Sequence, residues 1–177
     1  MITLRKKIPP RNEILAFFGT IVFLIYGWAS LTFFWKVPSW LYFLSLGEIA
    51  AILSYIFASS LLECTMILFV FLLANLVLPS GLLHNKFLVR ASLIVYSLTF
   101  WVALFTMISL IQLPTVNDVI SFGTGALLTV VLSIFLADKF PLVQKLVVSI
   151  GDRLTIFLYL WLPLSLISLL AILIRLL

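Results

Sequence analysis

The chain is short of charge. Only 10% of its 177 residues are Asp, Glu, Lys or Arg and 64% are hydrophobic, whereas soluble domains are about a quarter charged and about half apolar. Too little polar surface exists to cover a soluble globule of this size, so the apolar excess has to face lipid. A single cysteine, Cys64, and a single histidine, His84, exclude a disulfide framework and a self-contained Cys/His metal site, and no cofactor is expected. Glycine is sparse as well. Gly123 and Gly125 lie in an apolar run with no Lys following, so there is no phosphate-binding loop, and neither an HExxH nor a paired-Asp motif occurs. The net charge of +5 is spread over short clusters between apolar stretches, which argues against nucleic acid as a partner. No catalytic set emerges, and a lipid-modifying enzyme would want clustered acids for a metal or several Arg and His for a phosphate. The expectation is therefore a protein that is not an enzyme.

What is present is a series of apolar runs. A hydrocarbon core about 30 Å thick needs about 20 helical residues to cross it. Ile14 to Trp35, Phe87 to Leu113, Val119 to Ala137 and Leu154 to Ile174 meet that length, each bounded by Pro, Asn, Asp or basic residues. The first run follows Arg5, Lys6, Lys7 and Arg11 but is too long for a signal-peptide core, so it reads as an uncleaved span. Residues 39–78 are harder, being apolar throughout except for Glu48, Glu63 and scattered Ser.

Loop charge arbitrates, because Lys and Arg gather on the cytoplasmic side. If 39–78 crosses once, Arg5, Lys6, Lys7, Arg11, Lys86, Arg90, Lys139, Lys145 and Arg153 fall inside and only Lys36 and Arg175 outside, nine against two. Two crossings give five inside and six outside, and the bias disappears. The expected fold is thus all-α, a polytopic transmembrane bundle forming one domain over 1–177. Five crossings (14–35, 58–78, 87–113, 119–137 and 154–174) are favoured over six. The amino terminus is expected in the cytoplasm of a cell with a bacterial inner membrane. A single crossing leaves 39–57 as an apolar extension lying in the outer interface, re-entering the outer leaflet or packed on another protein, with an interfacial elbow at Trp35, Trp40 and Tyr42. The rival is a hairpin turning near Ser59 and Ser60, where no Gly, Pro or Asn marks a turn. Over 140–152, Val143, Leu146, Val147, Ile150 and Leu154 share a face opposite Lys145, Ser149 and Asp152, the pattern of an amphipathic helix on the cytoplasmic leaflet.

Few positions could carry chemistry. Glu48 and Glu63 are the candidate intramembrane acids, because a carboxylate in hydrocarbon must be protonated, paired or wetted. They are read either as a proton or cation relay or as an interfacial residue and a cross-helix hydrogen bond. Ser121, Gly125, Thr129, Ser133 and Ala137 recur every four residues, a small-residue ridge for close helix packing within this chain or with another. Pro163 is expected to bend the last span, with Ser165 and Ser168 able to bond freed carbonyls. Asp152 and Arg153 are read as opening that span, and Asn117 and Asp118 as opening the fourth. His84 and Asn85 read as a solvated loop, Cys64 as a packing residue and Asn75 as a cross-helix bond.

The strings Ser45-Leu46-Gly47-Glu48, Leu61-Leu62-Glu63 and Asp152-Arg153-Leu154-Thr155 before Phe157-Leu158-Tyr159 resemble small bacterial multi-pass inner-membrane proteins of unknown function. The resemblance implies a bacterial inner membrane and no activity. Taken together, the residues lead to a non-catalytic accessory, scaffold or assembly subunit whose partners are the bilayer and other membrane-protein subunits. The alternative is a small transporter or channel component that handles protons or cations with Glu48 and Glu63.

Overall fold

The computed structural model describes residues 9–78, 86–110 and 113–176. Six α-helices account for nearly all of them: α1 (Arg11–Trp40), α2 (Leu46–Val77), α3 (Phe87–Ser109), α4 (Val116–Lys139), α5 (Pro141–Leu154) and α6 (Ile156–Leu176), with no strand among the described residues. All but α5 are long and apolar enough to cross a bilayer. The chain is a multi-pass membrane protein with five crossings.

The amino-terminal pair is longer than a bilayer requires. At about 1.5 Å per residue, the 30 residues of α1 and 32 of α2 reach about 45 and 48 Å. Residues 39–57 are divided among the end of α1, the turn that follows it and the first part of α2. Helix α1 runs on through Lys36 and Pro38 to Trp40, a short turn spans 41–45, and α2 continues unbroken through Ser59 and Ser60. The reason is local. Ser45 and Glu48 form a reciprocal capping box, with the Ser45 N–H and hydroxyl donating to Glu48 Oε2 at 2.8 Å each, and this starts a helix at Leu46. Beyond it, Gly47, Ala50, Ala51 and Ser54 line a hollow of about 350 Å³ together with Ala171, Ile172 and Arg175 at the far end of α6.

Helix α1 is the hub. It packs on α2, α3, α5 and α6, and Ala16, Phe17, Thr20, Ile21, Val22 and Tyr26 are all buried. Phe17 meets the rings of Phe71 and Phe87 edge-on, at centroid distances of 5.1 and 5.3 Å. Tyr26 stacks on Trp161 at 5.2 Å, and its hydroxyl donates to Ser165 Oγ and lies 3.3 Å from the Phe57 carbonyl, tying α1, α2 and α6 together. Ser165 also donates to the Trp161 carbonyl at 2.9 Å, two residues before Pro163. Cys64 is fully buried in this cluster.

The helices alternate in direction, so the bundle has two poles. One holds the start of α1, the start of α3, the end of α4 and all of α5; the other holds the 41–45 turn, the start of α4 and the end of α6. At the first, the α5–α6 junction presses on α1 so closely that a methyl group on Gly19 would lie 2.9 Å from the Thr155 nitrogen and 3.0 Å from the Leu154 carbonyl. Arg90 Nη2 donates to Asp138 Oδ1 at 2.7 Å, joining α3 to α4. Gln144 Nε2 donates to the Ala137 carbonyl at 2.7 Å and holds α5 beneath α4.

Helix α5 is amphipathic, as its spacing predicts, yet its apolar residues divide. Val147, Gly151 and Leu154 turn inward, whereas Leu142, Leu146 and Ile150 are exposed at intervals of four along a second stripe. The helix also runs to Leu154, with α6 beginning only at Ile156, so Asp152 and Arg153 close α5 and do not open the last span. Thr155 bridges the two by donating to the Asp152 carbonyl at 2.6 Å.

Candidate functional site

The proposed relay acids are not neighbours. Glu48 lies at the first turn of α2, where its carboxylate is engaged by the Ser45 N–H and hydroxyl. Glu63 is 15 residues further along the same helix, about 22 Å away. Glu48 thus caps a helix. Asp118 does the same at the start of α4, accepting from the Thr115 N–H and hydroxyl at 2.8 and 2.7 Å. Thr115, and not Asn117, is the capping residue there.

Glu63 forms no ion pair among the described residues. It is the eighteenth of 32 residues in α2, close to the middle of the helix, and it is exposed on the bundle surface. Among the described residues no hydrogen bond or ion pair reaches its carboxylate. It opens into a lateral groove of about 650 Å³ between α2 and α3, floored by α1. The groove exists because α1 packs on both α2 and α3 while little packing joins those two directly. Leu24, Ile25 and Trp28 form its floor, Ile56, Met66 and Val70 one wall, and Val95, Leu98 and Val102 the other. Its polar lining is sparse. The hydroxyls of Thr32 and Ser59 donate to carbonyls of their own helices, at 2.9 Å to Ala29 and 3.0 Å to Ile56, and Ser60 and Thr99 complete the hydroxyl lining.

The small-residue ridge of α4 faces α3. A methyl group on Gly125 would lie 2.5 Å from Trp101 Cη2, which places the indole directly over the glycine. The indole nitrogen donates to Thr129 Oγ1 at 2.8 Å, and Ser97 Oγ shares a second 2.8 Å bond with the same hydroxyl. Ala137 is buried between Val89 and Val147, Ser133 is half-buried, and Ser121 at the other end is exposed. This ridge is occupied within the chain. The opposite face of α4 is bare, with Leu127, Leu128, Val131 and Phe135 all exposed.

A second hollow, about 790 Å³, opens at the α5 pole between Asn12, Glu13, Lys86, Gln144, Lys145 and Asp152. Glu13 accepts from the Leu88 N–H there at 3.4 Å, satisfying a free amide at the start of α3. No group of three or more potential metal ligands occurs among the described residues. Asn75 is buried, while His84 and Asn85 lie outside the described residues.

The Arg90–Asp138 pair was not anticipated from the sequence. The side chain of Arg90 is 9% exposed and that of Asp138 46%. A basic residue three positions inside an apolar helix was the available signal, since a cation there needs an anion on the next helix. Comparison with known protein families, with curated proteins and with solved structures finds no match to this chain.

Proposed function

We propose that this chain is a non-catalytic subunit of a bacterial inner-membrane complex, oriented with its amino terminus and α5 in the cytoplasm. One observation carries the reading: Glu63, well inside the long apolar helix α2, opens into a largely apolar groove on the side of the bundle. A charge at the helix centre costs about 2.5–3.5 kcal/mol even on the mildest insertion scale, so a chain that keeps one on its lipid face gains from a partner that covers it. The orientation follows from charge. Arg11, Lys86, Arg90, Lys139, Lys145 and Arg153 share the α5 pole, against Lys36 and Arg175 at the other. The exposed Leu142, Leu146 and Ile150 stripe suits α5 to the inner leaflet, with Lys145 near anionic headgroups.

A proton or cation pathway through Glu48 and Glu63 is less well supported, because about 22 Å of helix separates them and Glu48 is engaged in its cap. The test is native electrophoresis of membranes from the source organism, solubilised in mild detergent. The reading expects this chain, 20.0 kDa by itself, to migrate in a larger assembly containing a second polypeptide. A strictly monomeric particle would remove it.

A further inference from the structure

We infer that the groove between α2 and α3 receives a transmembrane helix of another protein that carries a single Lys or Arg at mid-membrane, with Glu63 as its ion-pair partner. This rests on the subunit reading above and specifies the partner's chemistry. The groove is open on the side of the bundle and elongated along the helices: its α2 wall runs from Ile56 to Phe71, about 22 Å, or about three-quarters of a 30 Å hydrocarbon core. Its walls are apolar and its one charge is negative.

Three occupants compete, and charge separates them. A lipid chain fills apolar volume but leaves the carboxylate uncompensated, and a lipid amine sits at the headgroup, about half the 30 Å core away. A second copy of this chain brings no cation to the right depth, because residues 12–35, 37–85, 91–138 and 154–174 contain no Lys or Arg. Every basic side chain is therefore near a pole. A foreign helix with one basic residue at its centre has the complementary defect, since its own cation is equally costly in hydrocarbon, and pairing relieves both. Such recognition is selective, because a helix without the base leaves Glu63 as uncompensated as a lipid chain does, and only the basic helix gains the pairing.

The experiment uses the full chain in phosphatidylcholine and phosphatidylglycerol vesicles, with a donor dye on Asn117→Cys; Cys64 is buried and stays unlabelled. Acceptor-labelled synthetic helices of 20 or so Leu and Ala residues carry Lys, Leu or Glu at the centre. The inference expects the Lys helix to bind at least about ten-fold more tightly than the Leu helix, a difference of about 1.4 kcal/mol. Glu63→Gln should erase that preference, and Glu63→Lys should transfer it to the Glu helix. Equal binding of the Lys and Leu helices, or a preference that survives Glu63→Gln, overturns the inference. So does energy transfer between two labelled copies of the chain that is lost in Glu63→Gln, which would assign the groove to self-association. Among the described residues no hydrogen bond uses the Glu63 side chain, so an unchanged melting curve separates loss of binding from loss of structure. If the native assembly survives Glu63→Gln, the subunit reading stands and only this assignment of the groove falls.

Discussion

Gly125 offers a quantitative test of how α4 is held, since it is the point where the ridge meets Trp101. A methyl group there would sit 2.5, 2.8 and 3.1 Å from three atoms of the indole, whereas carbon atoms rest at about 3.5–4.0 Å. Accommodating Gly125→Ala means moving the ring by about 1 Å, which also stretches the 2.8 Å bond from its nitrogen to Thr129. Overpacking costs about 1–3 kcal/mol, and loss of an interhelical hydrogen bond in a membrane about 0.6 kcal/mol. Against this stands the helix preference of Ala over Gly, up to about 1 kcal/mol. The clash wins, leaving a net loss of about 1–3 kcal/mol. Gly123, two residues earlier on the same helix, has nothing within 4 Å of its methyl position, so Gly123→Ala should be neutral or slightly stabilising. Unfolding in mixed micelles of increasing SDS content gives both values. In a Trp101→Phe background, which removes the outer ring atoms, most of the Gly125→Ala penalty should disappear. If Gly125→Ala matches Gly123→Ala in the natural background, the indole does not lie on the glycine and the α3–α4 interface is misassigned.

Gly19→Ala should be costlier, about 3 kcal/mol, because the atoms it would strike, at 2.9–3.0 Å, are backbone and cannot rotate away; the same unfolding assay reads it, and a neutral result would mean the α5–α6 junction does not rest on α1. Asp138→Ala strips the carboxylate from a 9% exposed Arg90 side chain and should cost about 1–3 kcal/mol, below the range for a fully buried pair because Asp138 is half exposed; Asp138→Glu should recover part of it. An impermeant thiol reagent should label Asn117→Cys in intact cells and Ser149→Cys only in inverted vesicles, and the reverse pattern would invert the proposed orientation.

The number of crossings was legible because it depends on where Lys and Arg fall, which the sequence displays directly. The limits of α1 and α2 were not, because Glu48 in an apolar run looked like an intramembrane acid and its distance of three residues from Ser45 passed unread as a capping box. The Thr115 and Asp118 pair repeats that spacing. Asp152 and Arg153 were assigned to the following helix since no Gly or Pro separates α5 from α6, and the break at Thr155 falls where the chain docks against Gly19. That docking joins positions far apart in the chain and has no local signature. The four-residue ridge on α4 was visible, but its partner was not, because a small-residue stripe states only that something approaches closely. Which way Glu63 points could not be read either: α2 is apolar around its whole circumference, so no periodicity distinguishes its lipid face from its protein face.

Most directly at issue is whether the groove beside Glu63 opens to hydrocarbon. Met66, one helical turn from Glu63 and exposed on the same groove, can be replaced by Cys, labelled with bimane and placed in vesicles of the purified chain. Lipids brominated midway along the acyl chain should then quench the dye while aqueous iodide leaves it bright. Quenching by iodide with indifference to the brominated lipid would mean that water lines the groove, and the case for a covering transmembrane partner would fail.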